Sequence, residues 1–135
     1  MANDCNNGVA CFSNRCVGSL QFKLVWDGND DHDIFVTPRG EATVSFANTS
    51  SGGCILETGD KIPDTTFDDS STTVFTEIIT CTNPLPGVYA YEVKQFSSWT
   101  GNYDPYTLSV YVDGVRQNQA TFTMDSGSQT LTLGN

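Results

Sequence analysis

The chain is predicted to be all-β: an antiparallel β-sandwich or jelly roll of about eight to nine strands, with a cysteine-rich N-terminal arm. Three observations predict this. Serine and threonine supply 29 of the 135 residues and alanine and leucine only 13, a composition poor in helix formers and rich in strand and turn formers. Apolar residues come in short runs of period two that recur about every ten positions, with no helical pattern between them. One Asp-Gly pair, Asp113-Gly114, stands directly between two such runs, and that is the strongest short-range hairpin signal a sequence carries.

Taken in order, residues 1–18 hold three cysteines and four asparagines without apolar periodicity, and are read as a disulfide-stapled arm. Residues 19–135 are read as one sandwich domain. Its first strand alternates Leu20, Phe22, Leu24 and Trp26 with Gln21, Lys23 and Val25, the mark of a half-buried strand. Asp33 to Thr37 follows with Ile34 and Val36 on one face, closed by Pro38-Arg39-Gly40. Glu41 to Phe46 alternates again through Ala42, Val44 and Phe46, which predicts another strand. After the loop 48–53 comes the short piece Cys54-Ile55-Leu56, and residues 57–72 are predicted to be a long loop. Strand character returns at Thr73 to Thr82 and stops at Asn83-Pro84-Leu85-Pro86-Gly87. Val88 to Phe96 places Tyr89, Tyr91 and Val93 on one face, and Ser97 to Pro105 is a polar loop. Tyr106 to Val112 presents Tyr106, Leu108, Val110 and Val112 together. Asp113-Gly114 then turns the chain into Val115 to Met124, and Gln129 to Leu133 is the last strand.

Charge narrows the partners. Sixteen acids against six bases give a net charge of −10, which repels nucleic acid and anionic membrane and favours cations. No run of 18 apolar residues exists to span a bilayer. The start, MANDCNNGVACF, shows no basic and apolar leader pattern, so no signal peptide is expected in it and it reads as a mature form or one with an added Met.

Cys5, Cys11, Cys16, Cys54 and Cys81 do not have the close paired spacing of a zinc site, and the single histidine, His32, lies elsewhere. Disulfides in a secreted or cell-surface protein fit the Ser/Thr/Asn-rich composition better than reduced, partly buried thiols of an intracellular one. Leaving one cysteine over allows fifteen pairings. The expectation is one bridge within the N-terminal trio and one between Cys54 and Cys81.

Four aspartates fall within Asp27 to Asp33, and residues 27–69 hold a net −8 of the charge. Oxygen ligands crowded in a turn repel one another unless a cation neutralises them, and calcium accepts six to eight oxygens. Asp27, Asp31 and Asp33, joined by Glu57 and Asp60 if the 57–72 loop folds against that turn, are the candidate calcium ligands. The plainer reading is a solvated acidic turn. Asn48-Thr49-Ser50 is an N-glycosylation sequon. Of the aromatics around the 97–105 loop, Tyr89, Tyr91 and Tyr106 read as core, and Trp99 and Tyr103 as the candidates for stacking a sugar or gripping a peptide. No nucleophile and base stand together around His32, so no enzymatic activity is expected.

Leu24-Val25-Trp26, Asp31-His32-Asp33-Ile34-Phe35-Val36 with Pro38 and Gly40, Asn48 with Ser51-Gly52-Gly53, Thr76-Glu77-Ile78, Gly87-Val88-Tyr89 with Val93, and Tyr106 to Val112 with Gly114 follow one another in this order. That order resembles the YfaP-type family of uncharacterised bacterial β-sandwich domains and, more distantly, the bacterial pre-peptidase C-terminal domains, over about residues 19–125. The resemblance implies an extracytoplasmic, non-catalytic module whose paired aspartates, here Asp31 and Asp33, invite a metal. It departs after Gly52-Gly53, where the family's Leu-Asp-x-Asp stands as Ile55-Leu56-Glu57 with the next acid at Asp60, and the cysteine arm has no counterpart.

Two functions are therefore expected to compete. One is an extracellular, calcium-supported binding or adhesion module for a glycan or peptide. The other is a structural subunit of a filament, surface layer or adhesin that self-associates through the arm or through strand edges.

Overall fold

The computed structural model describes residues 5, 8–27, 31–58, 74–97 and 104–134. Its strands are β1 (Cys11–Phe12), β2 (Arg15–Cys16), β3 (Ser19–Asp27), β4 (Asp31–Pro38), β5 (Ser50–Ser51), β6 (Cys54–Thr58), β7 (Val74–Thr82), β8 (Gly87–Ser97), β9 (Tyr106–Val112), β10 (Val115–Phe122) and β11 (Gln129–Leu133). They form a six-stranded sheet in the order β10-β9-β3-β7-β6-β5, a three-stranded sheet in the order β11-β8-β4, and the small β1-β2 hairpin. All pairings are antiparallel. The two larger sheets face each other as a sandwich, so the all-β reading holds.

The alternation in the sequence becomes the two sides of the core. Leu20, Phe22, Leu24 and Trp26 of β3 lie opposite Val112, Val110, Leu108 and Tyr106 of β9, and all eight are buried. The small sheet answers with His32, Ile34 and Val36 from β4, Tyr89, Tyr91 and Val93 from β8, and Leu133 from β11. Phe22 and Tyr91 meet across the sandwich with ring centroids 5.1 Å apart. Each large apolar side chain withdrawn from water in this way stabilises the fold by about 1.5–3 kcal/mol.

Turn chemistry sets the registers. Val112 pairs with Val115, and Asp113 and Gly114 have φ of 50° and 80°, the two positive values a two-residue hairpin of this hand requires. Ser51 pairs with Cys54 through Gly52 and Gly53 in the same manner. A Cβ on Gly52 would stand 2.9 Å from Pro38 Cγ, so only glycine fits that close approach.

Residues 41–46 depart from expectation. They form no strand: Val44 makes a single bridge to Val36, with Val36 N donating to Val44 O and Val44 N to Val36 O. Val44 is buried while Ala42 and Phe46 are exposed. The cause is the open edge of β4, where the neighbouring Ile34 N–H donates instead to Glu77 Oε1 at 3.1 Å, which leaves no ladder for the segment to extend along.

The N-terminal arm is built into its own domain as a cap on one end of the sandwich. Ala10 and Val17 are buried in the core. Ala10 N donates to Pro84 O, and Cys11 exchanges backbone bonds with Gly134. Asp113 Oδ1 accepts from Gly18 N at 2.8 Å and from Ser19 N at 3.0 Å, fastening the arm's exit to the β9-β10 turn.

Candidate functional site

Opposite the cap, the topology gathers strand ends from both sheets. β3 ends there at Asp27, paired with Val74 where β7 begins. β4 starts there at Asp31, paired with Ser97 where β8 ends, and β9 starts there at Tyr106, paired with Phe122 at the end of β10. The described residues flanking 28–30, 59–73 and 98–103 thus include strand ends from both sheets at one end of the sandwich.

An aromatic layer underlies this end. His32 is fully buried, edge-on to Trp26 with centroids 5.2 Å apart and tilted against Tyr106 at 4.9 Å. Phe75 packs on Trp26, and Phe122 stacks on Tyr106. The Tyr106 hydroxyl donates to Met124 O at 2.5 Å. Burial pushes the Tyr106 phenol up to about 12, with the Asp125 carboxylate adding to the rise and a hydrogen bond with Ser126 opposing it. The Tyr89 phenol is also raised by burial, against the nearby Arg39 charge and its hydrogen bond to Leu85 O.

The acidic candidates divide. Asp31 is half-buried and Asp33 only 2% exposed, on either side of inward-facing His32. Asp33 lies opposite Lys94, whose ammonium sits 5.3 Å from the centre of the Phe35 ring and 3.8 Å from Glu92. Asp27 is exposed at the end of β3. Glu57 stands apart from Asp27. It falls in β6 between the pairs Leu56–Ile79 and Thr58–Ile78, four to five ranks from the Val74–Asp27 pair, or about 13–17 Å along the strands. There its carboxylate accepts from the Thr80 hydroxyl. Asp60, Trp99 and Tyr103 lie outside the described residues. Among the described residues, no three His, Cys, Asp or Glu side chains converge as a metal-holding group.

Asn48 is exposed. Its side chain donates to Thr43 O at 3.1 Å, and its backbone exchanges bonds with Ser45, so the sequon lies on a surface turn. Cys54 and Cys81, cross-strand partners in β6 and β7, are bridged in the core. Cys5 is bridged to Cys16, while Cys11 enters neither disulfide and stays buried as a thiol. Two disulfides in so short a chain point to an oxidising compartment. No helix among the described residues is long and apolar enough to cross a membrane.

Two features were not anticipated. The first is buried Glu77, which reaches from β7 across the sandwich to the β4 edge. Its signal was present in the alternation Phe75, Glu77, Ile79, Cys81, which puts a carboxylate in an inward register. The second is a groove of about 330 Å³ between the β1-β2 and β9-β10 hairpins, lined by Phe12, Arg15, Val112, Asp113, Val115 and Gln117 among others. It has no local sequence mark, because two hairpins about a hundred residues apart build it.

No family model, no curated protein and no solved structure matches this chain.

Proposed function

We propose that the chain is a non-catalytic binding or adhesion module of an extracellular or cell-surface setting, and that it recognises a glycan or peptide at the end of the sandwich opposite the cap. The observation that carries this reading is the topology: strand ends flanking the acidic turn and the aromatic-bearing 98–103 segment lie at that one end, over a packed aromatic floor. Binding residues are commonly borne on connections held by a rigid scaffold. The disulfide cap and the buried Cys54–Cys81 bridge suit a domain working in an oxidising medium.

Calcium support belongs to the same proposal. Asp31 and Asp33 would supply carboxylates from the start of β4 and Asp27 from the end of β3, with the rest of calcium's six to eight oxygens coming from outside the described residues. Thermal unfolding with calcium and with chelator tests it, using the intact chain and Asp31→Ala/Asp33→Ala. A ligand at a hundredfold excess over its Kd stabilises the folded state by about 2.7 kcal/mol, a shift of several degrees for a domain of this size. The shift is expected in the wild type and absent in the double variant. Identical curves with and without calcium overturn the calcium part. A glycan and peptide array probed with the oxidised chain then tests recognition itself.

A second reading, self-association into an extracellular assembly, is favoured by one observation. β10 is the last strand of the large sheet among the described residues, and Val115 and Met124, which bracket it, are 62% and 66% exposed. Such an edge is a template for pairing. Molar mass from light scattering separates the two readings, since a ligand-binding monomer keeps one mass over a wide concentration range and an edge-paired assembly does not.

A further inference from the structure

The N-terminal cap brings three sulfurs together. Cys5 and Cys16 form the bridge. Cys11 stands opposite Cys16 in the β1-β2 register, where paired side chains share a face with Cβ atoms about 4.5–5.5 Å apart. The Cys11 thiol lies 3.2 Å from Cys5 Sγ, and because Cys5 carries no proton, Cys11 is the donor in that contact. The environments of the three differ: Cys11 is buried at 8% exposure, Cys5 is half-buried and Cys16 is exposed. The hairpin that fixes this arrangement turns on Ser13 and Asn14, both at positive φ without a glycine, and is clamped on its other side by the Cys11–Gly134 backbone bonds.

We propose that this cap is a thiol–disulfide exchange site that delivers a reactive thiol to the surface at Cys16. Cys11 loses its proton to water and, as thiolate, attacks Cys5 Sγ. The Cys5–Cys11 bond forms, the Cys5–Cys16 bond breaks, and Cys16 leaves as a thiolate that water protonates. The step is an isomerisation that needs no oxidant or reductant. Attack through a contact already made favours it, and so does a leaving sulfur in solvent. The Cys16 thiolate then attacks an external low-molecular-weight disulfide. A Cys16 mixed disulfide forms, the external disulfide breaks, and one external thiolate departs. The buried sulfur is thus exchanged for an exposed one that can be capped or linked to a partner's thiol.

The test uses the intact oxidised chain. It is incubated under native conditions with oxidised glutathione, and separately with iodoacetamide, then digested without reduction and mapped by mass spectrometry. One adduct per chain on Cys16, together with a Cys5–Cys11 disulfide, is the expected result. An adduct on Cys11 or Cys5, or none until the chain is unfolded, overturns the proposal. Cys16→Ser supplies an independent reading that does not depend on trapping. It is expected to yield a Cys5–Cys11 disulfide on oxidative folding, and two thiols in its place would equally overturn the exchange. In Cys11→Ser the adduct is expected to be lost while Cys5–Cys16 stays closed.

Discussion

A carboxylate in the middle of a β-sandwich needs a reason, and for Glu77 it is the Ile34 N–H at the edge of β4. A buried donor without an acceptor costs more than the net value of an average hydrogen bond, so Glu77→Leu is expected to lower stability by about 1–3 kcal/mol, and Glu77→Gln by less, in urea unfolding. Equal losses would show that the acceptor is not what matters there. Tyr106 sets a pH limit of a different kind. Its phenol has an ordinary value of 10.0 and is held up to about 12 in the fold. Because the folded chain keeps that proton more tightly than the unfolded chain, the contribution of the neutral phenol is whole below about pH 10. It is lost as the pH rises from there through about 12. Stability in denaturant is expected to fall across that window, and Tyr106→Phe to flatten the fall.

Among the elements, the β6-β7 pair is the one held covalently. Cys54–Cys81 closes a loop with a sequence separation of 27, and a cross-link of that span reduces the freedom of the unfolded chain by about 3–4 kcal/mol. Cys54→Ala/Cys81→Ala is therefore expected to lose about that much, read from the urea midpoint, while the slope of the transition also changes because the unfolded state expands. The strands β3, β4, β8 and β9 were legible in the sequence because a half-buried strand must alternate, and Leu20 to Trp26 and Tyr106 to Val112 do so without a break. Residues 41–46 alternate equally well and are no strand, because whether a ladder is available depends on what Glu77 has already occupied. The β1-β2 hairpin had no mark, since its Ser13-Asn14 turn lacks glycine. Glu57 was expected to join Asp27, Asp31 and Asp33 if the 57–72 loop folded against them, and its separation from Asp27 is set by the register of β6 on β7, which local pattern does not encode.

At the scale of the whole molecule the two sheets are unequal, six strands facing three. β3, β7 and β9 are covered by the smaller sheet, whereas β10 is exposed along most of its length. Local stability follows that coverage. Amide exchange is expected to be slowest in β3, β8 and β9 and fastest in β5 and β10; slow exchange along β10 in a dilute monomer would contradict this account of the layers. The cap and the strand ends at Asp27 and Asp31 lie at opposite poles, so the proposed exchange at Cys16 and the proposed recognition beside Asp31 would not compete for surface. The Cys54–Cys81 bridge also has a mechanical meaning. If the chain is pulled from outside this pair, tension passes through the sulfur–sulfur bond and skips everything between. Of a sequence separation of 27 residues, roughly 85–95 Å of contour is withheld from extension, so the domain would yield under load as a shorter and stiffer tether than its length implies.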